Sequence, residues 1–149
     1  MAQFKLPWDD YFLNIAREVA RRSNCIKRQI GAVIAVENRI VCTGYNGTPR
    51  GVKDCCDGGC ARCADRTVES GTKLDTCWCC HAEENAIVQG AFHGMSVRGG
   101  KIYTTLSPCL QCAKLIIQSG ITEVIYWGEY AQASMALLEA GNVKFRRLT

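Results

Sequence analysis

No stretch of the 149-residue chain approaches the roughly 18 consecutive apolar residues that a membrane-crossing helix needs. Its first residues, MAQFKLPWDDYF, carry acids and no apolar core segment, so no secretory leader is expected. Charge of one sign is lacking too: 18 Lys and Arg stand against 14 Asp and Glu, a formal net of +4. That excess is too small to argue for a nucleic-acid binder. Internal repeats, low-complexity tracts and linker-like segments are missing, so one domain over residues 1–149 is expected. The apolar share, 48%, is ordinary for a globular chain and argues against disorder or a fibre. The length suffices to bury a real core.

Histidine is scarce, with two residues, whereas cysteine is plentiful, with eleven. The cysteines are Cys25, Cys42, Cys55, Cys56, Cys60, Cys63, Cys77, Cys79, Cys80, Cys109 and Cys112. A secreted disulfide scaffold would be shorter and would carry a leader. Here the count is odd and the residues fall in C-x-x-C and C-x-C pairs. Reduced, metal-binding cysteine in a cytoplasmic protein is the expectation. Zinc-bound thiolates would lower the net charge further.

Periodicity gives the elements. WDDYFLNIAREVARRS spaces Trp8, Phe12, Ile15, Ala16, Val19 and Ala20 as a helix over about 8–22, with Asp9 and Asp10 favouring its start. QIGAVIAVENRIVCTGYNG reads as a β-hairpin around Glu37-Asn38. Residues 45–80 hold most of the cysteines and almost no apolar periodicity. A loop so long is unusual in a compact domain and needs something to order it; metal is the candidate. Helix 82–92, strand 101–106, helix 109–119, strand 122–127, helix 130–140 and strand 142–148 follow. Strand–helix–strand crossovers make parallel neighbours. The expected fold is therefore α/β: a mixed five-stranded sheet in three layers, an antiparallel hairpin plus three parallel strands, flanked by helices on both faces.

The chemistry concentrates at two helix starts. HAE supplies His81 and Glu83; PCLQC supplies Cys109 and Cys112. The gap between the motifs accommodates a helix, a turn and a strand, so both begin helices at one end of the sheet. Cys109 and Cys112, three apart at a helix start, can chelate one ion. His81 supplies a third ligand. Three protein ligands leave a fourth position for water, whose pKa zinc lowers to about 7. Glu83 is placed to move that water's proton. A four-ligand clip closed by Cys79 or Cys80 would leave Glu83 without a task. Glu84, one residue on, reads as a solvated helix position. His93, late in the same helix, reads as a solvated or capping residue. Cys42, in a strand, reads as core.

The pattern H-x-E…P-C-x-x-C is that of the zinc deaminases. With CIKRQIGAVI, GYNGTPRG, HAEENAI and LSPCLQCAKLIIQSGI, the chain resembles the deoxycytidylate (dCMP) deaminase family of the cytidine deaminase superfamily over about residues 8–148. The resemblance implies a cytidine-deaminase-like fold, one catalytic zinc, and hydrolysis of dCMP to dUMP and ammonia, supplying dUMP for dTMP synthesis. It implies His81, Cys109 and Cys112 as zinc ligands and Glu83 as proton shuttle. It also implies Asn46 as a sugar contact and the Ala82 backbone N–H as a donor to the pyrimidine carbonyl. A homo-oligomer, and regulation by dCTP and dTTP as in some relatives, come with it. The rivals are another deaminase of the same fold, acting on a nucleoside or on tRNA adenosine, and a zinc-stabilised binding module without catalysis.

Some members of that family carry a structural zinc. Cys25 and Cys55 fall where two of its ligands lie and Cys79 at a third; Cys77 is the expected fourth. Cys60 and Cys63 form an equally good chelating pair, so sets joining them to Cys25 or Cys55 stay open, and six cysteines suffice for two ions. Cys56 and Cys80 read as bystanders. For the phosphate of a nucleotide, Arg50, Lys53, Lys27 and Arg28 are candidates, with Arg50 favoured because it shares a loop with Asn46. Tyr130, after a strand at the same end, is a candidate to pack on the base.

Overall fold

The computed structural model describes residues 4–129 and 133–149. The chain runs α1 (Trp8–Ala20), β1 (Gly31–Val36), β2 (Arg39–Tyr45), α2 (Ala61–Ala64), α3 (Ala82–His93), β3 (Lys101–Leu106), α4 (Leu110–Gln118), β4 (Glu123–Gly128), α5 (Ala133–Ala140) and β5 (Lys144–Arg147). The expected mixed five-stranded sheet is the one observed, in the order β2-β1-β3-β4-β5. β1 pairs antiparallel with both β2 and β3, while β3, β4 and β5 are parallel. The hairpin turn is made by Glu37 and Asn38, whose φ values of 52° and 60° suit a type I′ turn and match the twist of the strands.

Alternation along the strands divides the core in two. Val33, Ala35, Tyr103 and Ile125 meet Phe12, Leu13 and Ala16 of α1 on one face. Ala32, Ile34, Cys42, Ile102 and Val124 meet Ala82 and Ala86 of α3, Ala113 and Ile116 of α4, and Leu138 of α5 on the other. Each fully buried Leu, Ile or Phe stabilises the fold by about 1.5–3 kcal/mol. Two glycines permit the closest helix approaches. A Cβ on Gly31 would lie 2.0 Å from the Ala16 carbonyl oxygen of α1. One on Gly44 would lie 2.3 Å from the Ala82 carbonyl oxygen of α3. Gly44 therefore fixes how near the start of α3 sits to the sheet.

α1 is two residues shorter than its periodicity suggests. The N–H groups of Arg21 and Arg22 turn to carbonyls three residues back, those of Glu18 and Val19, and close the helix tightly. The cysteine-rich segment has more structure than expected: a 3₁₀ turn at Cys55–Asp57, the short α2, and a second 3₁₀ turn at Leu74–Thr76. No described helix is long and apolar enough to cross a membrane.

Candidate functional site

The hairpin and the crossover deliver their ends to one edge of the sheet. Gly31 pairs with Tyr45 and Ala32 with Thr104, so the loop after β2 and the loop after β3 emerge together. At that edge His81 and Cys109 hold equivalent posts. Each is the N-cap of its helix, α3 and α4 respectively, with extended backbone at φ −79°, ψ 157° and φ −74°, ψ 173°. Cys112 sits one turn into α4, and its N–H donates to Cys109 Sγ at 3.5 Å.

His81 Nδ1 lies 3.3 Å from Cys109 Sγ and 3.4 Å from Cys112 Sγ. Zinc bonds of about 2.1 Å to nitrogen and 2.3 Å to sulfur, at tetrahedral angles, would separate such atoms by about 3.6–3.8 Å. The trio therefore converges almost to the edges of a zinc tetrahedron, and its donor chemistry fits that ion. The electrostatics agree. The neighbouring Cys112 thiol, which donates to it, and then His81 hold the Cys109 thiol down to about 4, against burial. The hydrogen bond that His81 gives the Cys109 thiolate, with the charge of that thiolate and of nearby carboxylates, pushes His81 up to about 9, against burial. A field that favours a proton there also favours a dication.

Glu83 is in the first turn of α3 and only 4% exposed. Burial pushes its carboxyl up to about 7, opposed by the charge of His81. An acid in that range can both take and give a proton at neutral pH. Glu83, His81 and Cys109 line one cavity together with Asn46, Lys27 and Arg28. Glu84 is not the solvated residue expected. Its carboxylate accepts the His81 N–H at 2.9 Å and so fixes the ligand's backbone.

The loop before α3 is pinned to the loop after β2. Cys80 and Gly47 exchange N–H···O bonds of 2.7 and 3.1 Å. Cys80 is thus a backbone clamp rather than a mere bystander. Asn85 Nδ2 donates to the Tyr45 carbonyl at 2.7 Å. Asn46 is buried; its Oδ1 accepts the Ile30 N–H at 2.8 Å and its Nδ2 donates to the Arg28 carbonyl at 2.9 Å. Ala82, the first residue of α3, is fully buried.

The basic candidates separate. Lys27 and Arg28 line the cavity, where Lys27 Nζ donates to the Val68 carbonyl at 2.6 Å and Arg28 Nε to Ser70 Oγ at 2.7 Å. Arg50, the favoured candidate from sequence, is exposed and lines a neighbouring cleft, its guanidinium 4.1 Å from the centre of the Phe92 ring. The turn after Gly47 carries it away from the cavity. Lys53 is exposed and lines neither. His93 is exposed at the end of α3, against Phe92. Tyr130 lies outside the described residues.

Beside the cavity six cysteines gather. Cys25, Cys55, Cys63 and Cys79 have their sulfurs mutually within 4.8 Å, and so do Cys60, Cys63, Cys77 and Cys79. The fourth partner of Cys25, Cys55 and Cys79 is thus Cys63, not the expected Cys77. The C-x-x-C turn of α2 brings Cys63 into both groups, while Cys77 lies 3.8 Å from Cys63 and 3.9 Å from Cys60. Cys42 is buried in the core and Cys56 is exposed. Sequence reading missed Arg62, which is 7% exposed and buried beside these sulfurs. Its place between the two cysteines of "CARC" was the available signal.

Residues 6–127 match the family model for the cytidine and deoxycytidylate deaminase zinc-binding region. The chain belongs to that deaminase family. It is 43% identical over 147 residues to the deoxycytidylate deaminase of Schizosaccharomyces pombe, covering 97% of this chain and 45% of the relative. It is 39% identical over 157 residues to the human deoxycytidylate deaminase, covering 95% of this chain and 80% of the relative. The chain thus spans under half the length of the fungal relatives it matches. Among solved structures it resembles the dCMP deaminase of cyanophage S-TIM5 in complex with dCMP and dUMP. The TM-score is 0.79 at 27% identity, over 98% of this chain and 100% of that one.

Proposed function

We propose that the chain is a dCMP deaminase, with residues 1–149 acting as one catalytic unit. It hydrolyses dCMP to dUMP and ammonia and so feeds thymidylate synthesis. The observation that carries the reading is Glu83: a buried carboxylate on the wall of the cavity that His81 and Cys109 also line. His81, Cys109 and Cys112 would hold a zinc ion, which would supply Lewis acidity toward water and toward the oxygen that adds at C4 of the base. Glu83 takes one proton of the attacking water and gives it to ring N3; it then takes the second proton from the new C4 hydroxyl and gives it to the departing amine, so that ammonia leaves and C4=O remains. The C4–O bond forms and the C4–N bond breaks.

The Ala82 N–H, at the positive end of α3, donates to the pyrimidine carbonyl. Asn46 holds the sugar; two of its four hydrogen-bonding positions go to the backbone, leaving one donor and one lone pair. Lys27 and Arg28 face the same cavity, which supports a monophosphate over a free nucleoside. Tyr130 remains a proposed neighbour of the base. Further zinc held by the cysteine-rich segment orders that segment. The same reading makes the protein cytoplasmic and a homo-oligomer, with dCTP and dTTP as effectors; exposed Val88 and Phe92 on α3 support self-association.

The test is ammonia release from a panel of dCMP, deoxycytidine and tRNA. Turnover of dCMP with a kcat/KM at least tenfold above that of deoxycytidine is expected. Preference for the free nucleoside or for tRNA would overturn the assignment.

A further inference from the structure

The two groups of four sulfurs described above are not separate. They share Cys63 and Cys79. Two independent tetrahedral thiolate sites need eight sulfurs, but the six residues Cys25, Cys55, Cys60, Cys63, Cys77 and Cys79 supply eight metal–sulfur bonds if two of them bind twice. We propose that these six cysteines hold two zinc ions as one cluster, with Cys63 and Cys79 bridging them.

The distances fit. Cys60 Sγ and Cys77 Sγ are 3.9 Å apart, and Cys63 Sγ and Cys77 Sγ 3.8 Å. The edge of a zinc–thiolate tetrahedron is about 3.8 Å. A disulfide would require about 2.05 Å.

Burial makes a single ion a poor solution. Cys55, Cys60, Cys63 and Cys79 are each less than a tenth exposed. One ion among Cys25, Cys55, Cys63 and Cys79 would strand Cys60 and Cys77, although Cys60 already accepts the Trp78 N–H at 3.3 Å. One ion in the other group would strand Cys25 and Cys55, although the backbone N–H groups of Lys27 and Arg28 point at Cys25 and that of Ile26 at Cys55. Each group therefore has backbone N–H donors aimed at its sulfurs.

Charge closes the argument. Six thiolates with two zinc ions carry two negative charges, which a buried site must offset. Arg62 is buried there and its guanidinium donates to Cys63 Sγ at 3.5 Å. The same group donates to the carbonyls of Glu69 and Thr72, which hold it in place. A permanent cation thus rests on one of the two bridging sulfurs. The other bridge, Cys79, stands two residues before His81, so cluster assembly also positions the start of α3. An all-thiolate, four-coordinate donor set selects zinc over harder ions.

Native mass spectrometry and elemental analysis of the zinc-loaded full chain should find three zinc ions per chain, and two in His81→Ala. With ¹¹³Cd in place of zinc, two thiolate-bound resonances should show scalar coupling to each other through the shared sulfurs, and the third should show none. Cys60→Ser should lose one ion, whereas Cys63→Ser should lose both cluster ions. Two ions or fewer in the loaded wild type would overturn the cluster, as would two uncoupled thiolate resonances. These readouts do not depend on turnover. Three ions without ammonia release from dCMP would sink the deaminase reading and leave the cluster standing.

Discussion

Replacing Glu83 by Gln removes one proton-carrying oxygen and almost nothing else. The side chain keeps its shape, and it is 4% exposed, so no new surface meets water. Folding should not suffer, because burial already disfavours the charged carboxylate at this position. Catalysis should. Among the described residues lining the cavity, Glu83 is the sole carboxylate. Glu84 cannot substitute, since its carboxylate is committed to the His81 N–H. Loss of a general acid–base costs about 10²–10⁴-fold, or about 2.7–5.4 kcal/mol in the barrier. One group here serves several proton transfers, so the upper part of that range is expected. The assay is dCMP turnover, followed by ammonia release, with zinc measured on the same preparation. Glu84→Gln is the control: an amide oxygen still accepts the His81 N–H, and activity should stay within a few-fold. If Glu83→Gln, fully loaded with zinc, turns over within about threefold of wild type, the assigned role is wrong.

Lys27→Met and Arg28→Gln should raise KM for dCMP at least tenfold more than KM for deoxycytidine, whereas Arg50→Ala, in the neighbouring cleft, should leave that ratio unchanged; steady-state kinetics on both substrates decides. Gly44→Ala should destabilise by about 1–3 kcal/mol and lower zinc occupancy at His81, because the new methyl would drive into the backbone of α3. Denaturant melts and metal analysis would measure this, and a neutral result would mean that α3 is free to shift. Asp9→Asn should cost up to about 1 kcal/mol near neutral pH, since the 2.6 Å contact with Arg146 lies at a partly exposed position. The hydrogen bond from Arg146 is the largest cause lowering the Asp9 pKa, so its contribution is full above the unfolded value and is lost as pH falls through the lower folded value. Urea melts of wild type and variant should therefore converge in acid, and a gap that persisted there would exclude this pair as its source.

The fold was legible where one periodicity dominated. The unbroken apolar run of GAVIAV and the buried centre of KIYTTL mark strands, and the crossovers between later strands make those neighbours parallel; the order β2-β1-β3-β4-β5 comes from the tertiary pairing. The trio of His81, Cys109 and Cys112 was legible because each ligand caps or opens a helix, and helix starts can be read locally. Arg50 shows the limit. Proximity in sequence to Asn46 suggested a shared site, but the chain reverses after Gly47, and the two side chains end in different cavities. That reversal depends on Asn24, whose Oδ1 accepts the N–H groups of Thr48 and Cys55 from more than 20 residues away. No local pattern carries such information. The partition of the cysteines failed to read for the same reason: spacing identifies chelating pairs, but which pairs meet is decided by the tertiary path.

That path also explains why residues 46–80 need sulfur. Within them the buried side chains apart from Asn46 are Cys55, Cys60, Arg62, Val68 and Cys79, joined by Cys63. One valine cannot replace the burial that normally offsets the conformational entropy of so many residues, about 1–2 kcal/mol for each backbone unit fixed. Backbone bonds such as those of the two 3₁₀ turns are local and do not tie the segment to the sheet. Ties that do reach across include the bonds of Lys27 to Val68 and of Arg28 to Ser70, the contacts of Asn24, and the sulfurs that bring Cys25, ahead of β1, against Cys79. Metal binding at those sulfurs is folding energy for the segment, because the ligands converge only in the folded chain. The segment also supplies one wall of the cavity that holds Glu83, through Arg62, Ser70, Gly71 and Leu74. With the proposed cluster in place, order in the cysteine loop and the shape of the cavity that Glu83 lines are one property, set by how completely the sulfurs are metallated.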